Sequence, residues 1–311
     1  MANLNSKKKL FGVLILTLCA FIWGFAFVAQ SNASNTLSAV AFSGMRFVFS
    51  FVGLSIVYVI YLAVNKKHGV RLLPWSLQTI VGGVLCGIAL YFAMLCQQLG
   101  IAHTTVSKTS FITAMYIVIV PLVGVAARQK PGTFSIPAII IAVLGFYFMC
   151  ITENLKVTVG DALVLMCAAM YSMQILFIGI YVKYCDPVRL TLVQFATTAV
   201  MGIIGMAIAG FPSGVSIKDT IIEILYLGIL SGTIGFTLQT AGQKHVAPSV
   251  ATLIMSMEAV VGLVGGVIFL HQIPSPREIL GCILVLFAVV LAQYEIKKTF
   301  LEFKKKDYFI K

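Results

Sequence analysis

The feature that most constrains this chain is a succession of ten apolar runs. They lie at about residues 10–30, 36–63, 77–99, 104–127, 135–151, 158–181, 188–210, 219–240, 248–271 and 277–294. A helix needs about 20 apolar residues to cross a hydrocarbon layer about 30 Å thick, and most of the runs have that length. The alternating ten-residue segments of a membrane barrel are absent. Turn residues fill the breaks: Asn32 to Asn35, Pro74, Lys130-Pro131-Gly132, Pro187, Pro212-Ser213-Gly214, Pro248, and Pro274 with Pro276. The expected fold is an all-α polytopic membrane protein with ten transmembrane helices and no soluble domain between them. Only 10% of the 311 residues are charged and 60% are hydrophobic, against about 25% charged in soluble domains. So little charge cannot cover a soluble surface, which excludes soluble enzymes, nucleic-acid readers and disordered chains.

The charge that remains gives an orientation. The net charge is +12, carried in short tracts between apolar runs, so its partner is the lipid bilayer's anionic cytoplasmic leaflet and not nucleic acid. With ten spans and the N-terminus inside, 17 of the 22 Lys and Arg fall on the cytoplasmic side. Only Lys156, Lys218 and Arg277 fall outside, and Arg46 and Lys108 lie within spans. This bias predicts a multi-pass protein of the cell (inner) membrane with both termini cytoplasmic. Residues 7–29 imitate a signal peptide, but their apolar run is too long for a usual signal core. The seven cysteines are scattered and form no CxxC pair, so they read as small packing residues.

The two halves repeat each other. Cys19-Ala20-x-x-Trp23-Gly24 matches Cys167-Ala168-x-x-Tyr171-Ser172, and Arg46-Phe47 matches Gln194-Phe195, both at an offset of 148. Gln97-x-x-Gly100 matches Gln239-x-x-Gly242, and Ala114-Met115-Tyr116 matches Ser256-Met257-Glu258, both at an offset of 142. An odd number of spans per half requires the second half to be inverted. Two inverted five-helix repeats around a central cavity are the architecture of alternating-access carriers. The expected boundaries are 1–151 for the first repeat, 152–296 for the second, and 297–311 for a basic cytoplasmic tail.

At this point the residues resemble a family. The first half carries Trp23-Gly24-x-Ala26-Phe27-Val28-Ala29-Gln30, Arg46-Phe47 and Lys108-x-x-Phe111-Ile112-Thr113-x-x-Tyr116-x-Val118-x-Val120-Pro121. The second carries Asp186-Pro187-x-Arg189-Leu190, Gln194-Phe195, Gln239-Thr240-x-x-Gln243, Ser256-Met257-Glu258-Ala259-Val260 and Ile279-Leu280-Gly281. In their order over about residues 10–295 these segments resemble the EamA family of the drug/metabolite transporter superfamily. The resemblance implies ten helices in two inverted repeats that move small metabolites, such as amino acids and their relatives, with export more common than uptake. It names no single substrate. Family members often carry Gly-Glu after spans four and nine, where this chain has Arg128-Gln129 and His271-Gln272; those positions read as structural.

Polar groups within spans are costly and need a reason. Glu258 lies about 11 residues, or ~16 Å, into span nine. It either binds a substrate amine or coupling proton, or forms a structural pair with Arg46 or the backbone. Arg46 is about ten residues into its span, and its repeat mate Gln194 keeps polarity without charge, which suits structural hydrogen bonding for both. Lys108, near the outer end of span four, either snorkels to the interface or anchors a substrate carboxylate or phosphate. Trp23, Tyr116, Tyr171 and Gln174, together with Tyr91, sit well inside their spans and are candidates to line the cavity. Gln97, Gln98 and Gln239 are too polar to face lipid, and Gln239 joins the candidates for substrate binding or coupling. The histidines show no metal-ligand spacing and no Walker loop is present, so neither an enzyme nor a cofactor is expected. The expectation is a secondary transporter, most simply an exporter, of amino acids or related metabolites. It would be driven by a proton gradient or by the substrate's own gradient. The rival is a non-transporting membrane receptor or membrane enzyme.

Overall fold

The computed structural model describes residues 2–69, 73–126, 135–150, 158–284, 286–288 and 290–291. The turn Lys130-Pro131-Gly132, the pair Arg128-Gln129, Lys156 and the basic tail 297–311 lie outside the described residues. Every regular element among the described residues is helical. The first half contains α1 (Ala2–Ala33), α2 (Ala39–Lys67), α3 (Leu77–Ile101), α4 (Val106–Thr113), α5 (Tyr116–Ala126) and α6 (Ser135–Cys150). The second contains α7 (Val159–Tyr181), α8 (Pro187–Ala209), α9 (Gly214–Asp219), α10 (Ile221–Leu225), a π-helical segment (Tyr226–Gly235), α11 (Phe236–Gln243), α12 (Pro248–Met255) and α13 (Met257–Leu270). Residues 276–284 form a further helix.

Among the described residues, eight helical stretches are long and apolar enough to cross a membrane. They coincide with apolar runs one to four and six to nine. The fifth run holds the shorter apolar helix Ile136–Gly145, and the tenth holds the helix at 276–284. The protein is thus an all-helical, multi-pass membrane protein.

Capping chemistry sets many of the starts. Ser38, Ser76 and Thr105 accept the backbone N–H of the residue three further on, and Thr158 and Asp161 form a reciprocal capping box. Asp186 caps α8, whose first residue is Pro187, where a missing N–H costs nothing. Gln272 also caps: its Oε1 accepts from Val106 N–H at 3.0 Å, so the side chain after span nine ties down the start of span four.

The molecule is polar inside and apolar outside. On α2, Ser43, Arg46 and Ser50 are at most 2% exposed, while Val52, Ile56 and Val59 are 50–64% exposed. That distribution suits lipid, where apolar side chains meet a solvent of their own kind.

Most of the extensive helix packing runs between the halves. Helix α3 packs on α7 and α8, α2 on α8 and the π segment, and α1 on α13, α11 and the π segment. Some close approaches match between the halves. A Cβ on Gly160 would lie 2.9 Å from Gly100 O and from His103 O. A Cβ on Gly12 would lie 3.2 Å from Gly242 O and 3.0 Å from His245 Cβ. Gly12 and Gly160 differ by 148, and Gly100/His103 differ from Gly242/His245 by 142, the offsets of the sequence motifs.

Spans four and nine are each broken, at matching points. Helix α4 ends at Thr113 and α5 begins at Tyr116; α12 ends at Met255 and α13 begins at Met257. The tightened bond Ile117 N–H to Ala114 O (3.0 Å) has its counterpart, 142 residues on, in Ala259 N–H to Ser256 O (3.1 Å). Such three-residue bonds are the local 3₁₀ geometry of an interrupted helix.

Candidate functional site

The two breaks open onto one central pocket, a narrow cavity of about 20 Å³. Helix α1 contributes Trp23, Ala26, Phe27 and Gln30, α2 contributes Arg46, and α3 contributes Met94 and Gln97. Thr113 and Tyr116 stand either side of the first break, and Glu258 follows the second. Tyr171 and Ile175 of α7 and Ser231 of the π segment complete the wall.

The central contact joins the two breaks. Tyr116 OH donates to Glu258 Oε1 at 2.7 Å. These are the repeat mates of the motif at offset 142, so corresponding positions of the two halves meet each other. Glu258 is 3% exposed, and its second carboxyl oxygen has no hydrogen-bond partner among the described residues. On the same pocket, Arg46 Nη1 donates to Gln30 Oε1 at 3.5 Å, and Gln97 Nε2 donates to Thr113 Oγ1 at 3.1 Å. Tyr171 OH points at Met94 Sδ, 3.1 Å away. Trp23 stacks obliquely on Phe236, with centroids 4.6 Å apart, and its Nε1–H donates to Ser231 O at 3.2 Å.

That last bond shows what the π segment does. Its wider winding leaves carbonyls able to accept from neighbouring helices. Ser50 Oγ donates to Gly228 O at 2.8 Å and Cys19 Sγ to Gly235 O at 3.3 Å. The segment is thereby tied to α1 and α2 through its backbone.

Of the residues singled out from the sequence, Trp23, Tyr116, Tyr171 and Glu258 come together at the pocket, with Arg46 beside them. Gln174, Gln194 and Gln239 form a separate buried amide cluster. Gln174 Nε2 donates to Gln194 Oε1 and Gln239 Oε1, both at 3.1 Å, and Gln239 Nε2 returns a bond to Gln174 Oε1 at 3.2 Å. Gln194 Nε2 has no partner among the described residues. Lys108 lies in the first turn of α4, half-buried, away from the pocket wall, and its ammonium has no ion-pair partner among the described residues. Sequence reasoning did not single out Gln30, Thr113 or Ser231 as site residues. Gln30 and Thr113 carried a signal as polar groups inside apolar runs. Ser231 also contributes a carbonyl, for which no residue type is a marker.

Comparisons with known proteins fit this geometry. The profile of the EamA-like transporter family matches the chain twice, at residues 10–151 and 158–294. An uncharacterized transporter of Archaeoglobus fulgidus is 26% identical over 292 residues, covering 93% of this chain and 88% of the relative. The uncharacterized transporter YoaV of Bacillus subtilis is 21% identical over 300 residues, covering 94% of this chain and 98% of the relative. A solved crystal structure at 13% identity covers 90% of this chain and 96% of its own with a TM-score of 0.66, a likeness of fold.

Proposed function

This chain belongs to the EamA-like transporter family, and on that premise we propose that it is a secondary transporter that carries a small metabolite across the cell membrane by alternating access. The observation that carries the reading is the Tyr116–Glu258 bond, formed where two broken spans meet at a central pocket. Interrupted helices near the bilayer midplane are a common way for carriers to build a binding site between repeats. The paired glycine contacts and the paired breaks support two inverted five-helix repeats, residues 1–151 and 152–296, with the tail 297–311 and both termini cytoplasmic. The substrate is an amino acid or a close relative, and the direction is export. Glu258 is the group that binds the substrate's ammonium or carries a coupling proton, because it is a carboxyl group with one oxygen still free. Trp23, Tyr116 and Tyr171 hold the apolar part of the substrate, and Gln174, Gln194 and Gln239 brace the second half beside it.

Flux into vesicles reconstituted with the purified protein tests this. Wild type should exchange a labelled amino acid, and Glu258→Gln should insert normally but lose most of the flux or its response to pH. Unchanged flux and pH response in that variant would reject the assignment of Glu258. A receptor would bind its ligand without moving it.

A further inference from the structure

Two buried ionisable side chains line the central pocket, and no salt bridge among the described residues joins them. Arg46 is 2% exposed and Glu258 is 3% exposed, and both line the cavity. Among the described residues no carboxylate oxygen lies within ion-pair distance of the Arg46 guanidinium; its hydrogen bond to Gln30 Oε1, at 3.5 Å, is long. A guanidinium has five N–H donors, so most of its capacity is unspent. The other deeply buried acids among the described residues are committed elsewhere. Asp161 accepts from Thr158 N–H and Thr104 Oγ1, and Asp186 accepts from Tyr61 OH and caps α8. A charge held in a membrane interior is expensive, and among the described residues no carboxylate within ion-pair distance offsets that of Arg46.

The second half shows that packing alone does not require this charge. At the position 148 residues on, Gln194 joins an amide cluster with Gln174 and fills the corresponding place between helices without ionising. The close approaches around the two residues also correspond. Gly87 packs against Gln194 O and Thr197, and Gly228 packs against Arg46 O and Phe49. The same packing slot therefore takes a neutral amide in one half and a guanidinium in the other.

We propose that Arg46 is the residue that recognises a substrate carboxylate, and that the pocket takes an α-amino acid with an apolar side chain. The carboxylate lies across the guanidinium fork, which matches its two oxygens. The ammonium lies on the free oxygen of Glu258. The side chain rests against Trp23, Met94 and Ile175, which line the same cavity. This assignment rests on the pocket being the substrate site. It gives to Arg46 the role that position along the chain suggested for Lys108.

The test uses the full-length protein with three probes of one shape: leucine, 3-methylbutylamine, which lacks the carboxylate, and 4-methylpentanoate, which lacks the amine. Binding is read from ligand-induced thermal stabilisation and transport from vesicle flux. Wild type should prefer leucine to both analogues. Arg46→Gln should weaken leucine binding by at least about tenfold, the scale of a lost charge-assisted hydrogen bond, and leave 3-methylbutylamine unaffected. Glu258→Gln should do the converse and spare 4-methylpentanoate. If Arg46→Gln fails to reach the membrane, Arg46→Lys carries the test: leucine affinity falls and amine affinity holds. An equal loss of leucine and amine in either Arg46 variant, or a wild type that binds the amine as tightly as leucine, overturns the proposal. A wild type that moves some other solute and does not bind leucine overturns it too, while the transporter reading stands. A wild type that moves no solute of any class overturns both.

Discussion

The hydrogen bond between Tyr116 and Glu258 is 2.7 Å long and fully buried, so neither partner can be changed without consequence for the other. Tyr116→Phe leaves a buried carboxyl oxygen without its donor, which costs about 1–3 kcal/mol. We expect a lower unfolding temperature and reduced flux. The double variant Tyr116→Phe/Glu258→Gln should be less destabilised than the sum of the two single changes. Strict additivity in thermal unfolding would show that the pair is not coupled. Lys108 should behave differently. It stands in the first turn of a helix away from the pocket, where a carboxylate is also tolerated by the helix dipole. Lys108→Glu should therefore insert and bind substrate as wild type does, and a selective loss of leucine binding would return Lys108 to the site. The contrast explains what could be read in advance. Distance along an apolar run gives depth in the membrane, which is why Glu258, Tyr116, Trp23 and Tyr171 stood out. It does not give the direction a side chain faces, because a helix that is apolar all round carries no amphipathic stripe. Arg46 and Lys108 were both intramembrane cations by sequence, and helix packing separates them.

Among the elements, the breaks in spans four and nine and the π segment in span eight were not visible as local signals. No glycine or proline marks Ala114-Met115 or Ser256, and the proline nearby, Pro121, lies inside α5. What the breaks share is position, and position becomes informative only when one half is laid on the other. The π segment leaves a subtler trace. Gly87 and Gly228, which make corresponding contacts, are 141 residues apart, whereas Gln97 and Gln239 beyond the segment are 142 apart. Span eight thus has one residue more than span three, and a π-helix is the way a helix absorbs a single extra residue. Deleting Ile229 should restore α-helical winding and pull the carbonyls of Gly228 and Ser231 away from Ser50 and Trp23. The expected result is normal insertion with lower thermal stability and lost flux. Wild-type flux from the deletion would mean that the extra residue is incidental.

At the level of the molecule, the contacts Gly100–Gly160 and Gly12–Gly242 are matching close approaches of backbone in the two halves. In the inverted arrangement proposed above they lie toward opposite membrane faces. A side chain at either would prop one end apart. With a reporter cysteine at Ser231, Gly160→Leu should admit a membrane-impermeant maleimide from outside and Gly12→Leu from inside. Labelling from the same side in both would refute the inversion. The ten apolar runs made the all-helical membrane fold legible from the outset, but not how deeply the halves interlock. Helices α1, α2 and α3 each pack chiefly on helices of the other half. That interlocking has a cost in time. A ribosome adds about 5–20 residues per second, so the second half follows the first by about 7–30 s. Until it arrives, Arg46 and Gln97 sit in a bilayer without the helices that later enclose them. Halves made as two separate polypeptides, divided between residues 151 and 158, should each be short-lived alone and persist when made together. A pause in translation before Val159 would hold the nascent chain in its most vulnerable form, with the polar lining of a future carrier turned toward lipid.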